Sequence, residues 1–84
     1  MQTIYKFDIF NTVRVPKSAK LLKIGYQEKF VAWYELDTDD KEYRCDSYSI
    51  VGTGWELHNL QSMIYIDTIF EADYVWHVYK NNNG

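Results

Sequence analysis

The 84 residues include one proline, one cysteine, four glycines and two arginines, and no long apolar run. A lone cysteine, Cys45, excludes an intramolecular disulfide and gives no thiolate cluster for a metal. No segment approaches the roughly 18 apolar residues of a membrane-spanning helix. The opening Met1-Gln2-Thr3-Ile4-Tyr5 runs straight into strand pattern without the apolar core of a signal peptide. Positive charge is also scarce. The net charge of −3 argues against a general nucleic-acid binder, which needs a basic footprint to displace counterions. A soluble, intracellular chain is expected, with no membrane partner. Apolar residues at a 3.6-residue period are missing too, so no amphipathic helix is predicted.

Aromatics are plentiful: eight Tyr, four Phe and three Trp make up 18% of the chain. A domain this short buries a thin core, and large rings deliver the most buried area per residue. The rings alternate with polar residues at period two. Strands are predicted near 3–10, 21–26, 30–36, 43–53, 63–70 and 74–79, with Val13-Arg14-Val15 a short extended piece stopped by Pro16. The 43–53 run is expected to falter near Cys45-Asp46-Ser47. Gln27-Glu28-Lys29, Thr38–Lys41 and Glu71-Ala72-Asp73 read as turns. The resulting fold class is all-β: a single domain over residues 1–80, built as a small antiparallel sandwich or partly open barrel of about six strands, with a frayed tail at 81–84. The predicted core comprises Phe7, Ile9, Leu22, Ile24, Leu36, Ile50, Ile64, Ile66 and Trp76. The 30–36 strand is apolar on both faces, which predicts that one face is covered by a second copy in a homodimer.

Few residues suggest chemistry. Gly52-Thr53-Gly54 lacks the following helix and Lys-Ser step of a phosphate-binding loop, and reads as a strand-ending turn. His58 and His77 have no metal-ligand spacing, and no nucleophile-elbow pattern exists. Asp37, Asp39, Asp40 and Glu42 lack the alternation and central glycine of a calcium loop. No catalytic residue, metal or cofactor is expected. The candidate binding surface is the 52–58 loop, with Gly52, Gly54, Trp55 and His58, joined by Arg44 and His77 as anion contacts. Asp39 and Asp40, in the acidic hairpin, are candidates for meeting a basic partner surface.

Thr3-Ile4-Tyr5-Lys6-Phe7, Pro16–Leu22, the Trp33 strand, Gly52-Thr53-Gly54 and Val75-Trp76-His77-Val78-Tyr79 occur in this order along the chain. Together they resemble a family of short proteins encoded by bacteriophages and prophages. The resemblance implies a viral accessory protein of the host cytoplasm, without assigned catalytic residues. Three readings follow. The first is a non-catalytic inhibitor that binds a host protein, with antiviral defence as the expected target. The second is a homo-oligomeric sponge for a nucleotide immune signal. The third is a small interaction domain unrelated to defence. Two arginines are few for bidentate phosphate recognition, so the protein target is preferred to the small nucleotide ligand.

Overall fold

The computed structural model describes residues 1–10, 12–57 and 62–81. They form an all-β fold of eight antiparallel strands in three small sheets. The strands are β1 (Gln2–Asp8), β2 (Val13–Pro16), β3 (Lys20–Tyr26), β4 (Phe30–Asp37), β5 (Tyr43–Asp46), β6 (Tyr48–Gly52), β7 (Met63–Glu71) and β8 (Tyr74–Asn81). Sheet order is β1-β4-β3, β2-β5 and β6-β8-β7. The molecule measures 42 × 27 × 16 Å, thin enough for only one layer of side chains between sheets that pack about 10 Å apart.

β4 is central because both of its faces are apolar. Tyr34 and Ala32 are fully buried on the inner face, and Val31 is buried on the other. On that outer face, the far edge of the Trp33 ring lies against Gly25, where an added Cβ would come within 2.9 Å of it. Ile9, Val13, Val15, Ala19, Ile24, Leu36, Ile69 and Val78 complete the buried core, with Phe7, Leu21, Phe30, Tyr48, Ile50, Ile66 and Trp76 half-buried around it. Each fully buried aliphatic side chain stabilises the fold by about 1.5–3 kcal/mol.

The all-β class holds, and the structure differs from expectation in four details. There are eight strands rather than six: Val13–Pro16 pairs with β5 along its length, and the 43–53 run divides at Ser47. At that point the chain leaves β2 as its partner and takes up β8. Leu22 is exposed, because a bulge between Leu21 and Lys23 adds one residue. Leu21 and Ile24 then share the inner face although they are three apart. Ile64 is exposed as well, opposite Lys80 toward the end of its sheet, and a second bulge between Tyr65 and Asp67 turns Phe70 outward and Ile69 inward. Asn81, expected in the tail, is the last residue of β8; the rest of the expected tail, 82–84, lies outside the described residues.

Candidate binding site

The change of partner at Ser47 creates the main polar feature of the interior. Asp46, the last residue of β5, has no exposed surface. Its carboxylate accepts from Tyr34 Oη at 2.6 Å, from Arg44 Nε at 3.1 Å and from Arg44 Nη2 at 3.3 Å, with Lys80 Nζ at 3.5 Å. Tyr34 also shares a hydrogen bond with the Tyr48 hydroxyl. Arg44 donates further to the carbonyls of Lys17 and Ala19, at 2.6 and 2.9 Å. Burial by itself would raise the Asp46 pKa. The hydrogen bonds from Arg44 and Tyr34, with the charges of Arg44 and Lys80, outweigh it and hold the carboxyl below its ordinary value. Burial raises the Tyr34 phenol, and its bonds to Asp46 and Tyr48 raise it further. Burial likewise pushes Tyr48 up to about 12. Every buried polar side-chain atom among the described residues has a partner. The cluster therefore holds the sheets together and offers no open coordination position or unpaired donor to a ligand.

A different arrangement stands where β6 ends. Gly52 closes a turn in which Trp55 N donates to the Gly52 carbonyl at 3.1 Å, and Gly54 takes a φ of 89°, a conformation that favours glycine. The turn folds the Trp55 indole back over Gly52, so closely that an added Cβ would lie 2.9 Å from the ring. Trp55 meets Trp76 edge-on at 5.6 Å, and Trp76 stacks on Tyr74 at 5.8 Å with an interplanar angle of 26°. Below, Trp76 rests on Phe30, which packs against Tyr26. Trp76 Nε1 donates to Glu71 at 3.4 Å. The result is an aromatic corner anchored in the core, whose outermost rings, Trp55 and Tyr74, are 58% and 61% exposed. A cleft of about 360 Å3 lies between them, with Gly52, Thr53, Asp73 and Trp76 in its wall. Asp73 in the wall and Glu71 beside Trp76 make its surroundings acidic.

His77 lies in β8 beside this corner. Thr53 Oγ1 is 2.7 Å from its Nε2 and Thr68 Oγ1 is 3.1 Å from its Nδ1. Thr68 is in turn bonded to the Tyr65 hydroxyl. The imidazole is thus pinned between two threonines, and it ties the glycine turn to the far strand of its sheet. A depression of about 270 Å3 runs along Val51, Thr53, Trp55, Leu57, His77 and Tyr79.

Of the residues predicted for the site, the fold brings Gly52, Gly54, Trp55 and His77 together around this corner. Arg44 is placed in β5, where Asp46 and two carbonyls take up its guanidinium. Asp40 caps the Ser18 turn, accepting from the Ser18 hydroxyl at 2.7 Å. Asp39 accepts from the amino group of Met1 at 2.6 Å. His58 lies outside the described residues. Tyr74 and Trp76 are the contributors that sequence reasoning missed. Trp76 packs against the core as expected and also reaches the corner; the signal lies in its alternation with Tyr74 beside the Glu71–Asp73 turn, which brings both rings to the end of the sheet. No group of three His, Cys, Asp or Glu among the described residues can hold a metal, and no described helix is long and apolar enough to cross a membrane.

The aromatic corner and the Asp46 cluster together draw on residues from Lys17 to Lys80, so both depend on the chain as a whole. The family described as Domain of unknown function (DUF7352) matches over residues 1–84. The chain belongs to this family. No curated protein and no solved structure matches it.

Proposed function

We propose that this member of the DUF7352 family is a non-catalytic bacteriophage accessory protein that inhibits a host protein by binding it directly through the aromatic corner. The observation that carries this reading is the trio of Trp55, Trp76 and Tyr74: large rings already ordered against one another and against the core, two of them open to solvent. Trp and Tyr dominate binding hot spots because they bury much area at low entropic cost. Asp73 in the wall and Glu71 beside Trp76 give the cleft an acidic side, which suits an apolar pocket ringed by Lys or Arg. A nucleotide at this corner would meet acidic groups, while Arg44 is saturated by Asp46.

The second reading, a nucleotide sponge acting in the host cytoplasm, draws support from another surface. On the outer face of β1-β4-β3, Lys6 and Lys23 are the register partners of Trp33 on either side, with Lys6 donating to Gln27, which sets two cations in the neighbourhood of an indole on which a base could stack. Affinity capture from host lysate, run in parallel with the native chain and Trp55→Ala, separates the readings. A protein held by the native chain and lost with Trp55→Ala is the expected result. A captured protein indifferent to Trp55 would remove the corner from the interface. A bound small anion with no co-purifying protein would favour the sponge.

A further inference from the structure

We propose that β1 is the dimerisation edge of this protein, pairing antiparallel with β1 of a second copy across a two-fold axis at Tyr5. The register follows from the hydrogen bonds that bracket the strand. Thr38 N donates to the Met1 carbonyl, and Ile9 N donates to the Phe30 carbonyl. These two bonds fix the bonded positions of the β1–β4 ladder at odd residues: Thr3, Tyr5 and Phe7. Gln2, Ile4, Lys6 and Asp8 therefore turn their N–H and C=O groups to the other side, where no strand pairs with them among the described residues.

The remaining edges are blunted. β3 packs beside β7, and β7 carries a bulge. β2 contains Pro16, β5 is only four residues long, and β6 is five residues long with its Gly52 carbonyl taken by Trp55. β1 has seven residues, no proline and no bulge, and it exposes Ile4 and Tyr5 by 56% and 50%. An open edge of this kind calls for a cover.

A second copy fits better than an arbitrary strand because the edge is complementary to itself. With the axis at Tyr5, Gln2 faces the partner's Asp8 and Ile4 faces the partner's Lys6. All four outward-facing residues find bonding positions. The two tyrosines form the central pair, and no like charges are opposed. A shift of the axis to Lys6 would oppose two ammonium groups, and a shift to Ile4 would leave Asp8 unpaired. The chosen register joins two three-stranded sheets into one of six strands, β3-β4-β1 continuing into the partner's β1-β4-β3. It leaves the aromatic corner, at the end of β6, untouched, so it stands independently of the docking reading.

The test is solution mass with site-directed cross-linking. Light scattering of the intact chain at tens of micromolar should give about twice 10.1 kDa. In a Cys45→Ser background, Tyr5→Cys should be captured as a covalent dimer on mild oxidation, because directly opposed non-bonded positions lie within disulfide reach. Ile4→Cys and Lys6→Cys should not. Ile4→Pro removes an outward N–H while sparing the β1–β4 ladder, and should raise the dimer dissociation constant at least tenfold with an unchanged circular dichroism spectrum. A mass near 10.1 kDa at that concentration, or a dimer that cross-links at Ile4 or Lys6 and not at Tyr5, would overturn the proposal.

Discussion

The Asp46 cluster and the aromatic corner lie within ten residues of each other in sequence, yet they solve opposite problems. Around Asp46, charge is drawn inward and every donor is matched, so the region is closed to outside partners. Around Trp55, apolar rings are pushed outward and held by one another, so the region is ordered but open. A charged residue in a strand thus says little about where a ligand goes. Arg44 could have been an anion contact, but it is a structural cation because Asp46 lies two residues away on the same strand face and shares its burial.

That contrast predicts a graded series of effects. Asp46→Asn should be the most damaging change, since it leaves Arg44 and Lys80 facing a neutral group in the interior. A loss of about 3–5 kcal/mol is expected, read as a fall in melting temperature on the order of 20 °C for a domain of this size. Tyr34→Phe removes the bonds to Asp46 and Tyr48 while keeping the ring. It should cost about 1–3 kcal/mol, measurable by urea denaturation.

The pH dependence carries two limbs. The Asp46 pKa is lowered on folding, so its contribution is complete above the unfolded value of about 3.9 and is lost as pH falls through the lower folded value. Tyr34 and Tyr48 are raised, so their contributions are complete below the unfolded value of about 10 and are lost as pH climbs through the folded values. Thermal melts across pH should therefore show stability falling away below about 4 and above about 10. In Asp46→Asn the acid limb should flatten.

Trp55→Ala should have the smallest effect on the fold. Losing the edge contact with Trp76 should cost no more than about 1 kcal/mol. If the corner is the docking surface, partner affinity should fall by more than tenfold. A stability loss as large as that of Tyr34→Phe would instead mark Trp55 as a core residue.

Much of the fold was legible from period-two patterning. The inward set Phe7, Ile9, Ala32, Tyr34, Leu36 and Val78 follows the alternation of the chain, and the turns at Glu28 and Ala72 occur at the polar breaks. Alternation failed where a residue was inserted. Leu22 and Phe70 follow the pattern on paper and face water in the structure, because a bulge leaves no signature in residue type. The site was half legible for a related reason. The irregular loop pointed to Gly52, Gly54 and Trp55, and His77, already a candidate from the sequence, is set beside them by the register of β6 on β8. Tyr74 and Trp76 joined it only once the turn before β8 was set beside the turn after β6, a long-range placement that no local window contains.

The 16 Å thickness has an optical consequence. A slab one side chain deep has no room to hide an indole. Trp33 and Trp76 are only half-buried, and Trp55 is open. Intrinsic fluorescence excited at the indole band will therefore report on the two outer surfaces, with emission already shifted toward the red in the native state and readily quenched by iodide or acrylamide. Unfolding will shift that signal less than in a protein with a fully buried indole, the change coming from Trp33 and Trp76. A binding event at the corner will change it strongly, so the native chain carries its own reporter for a partner.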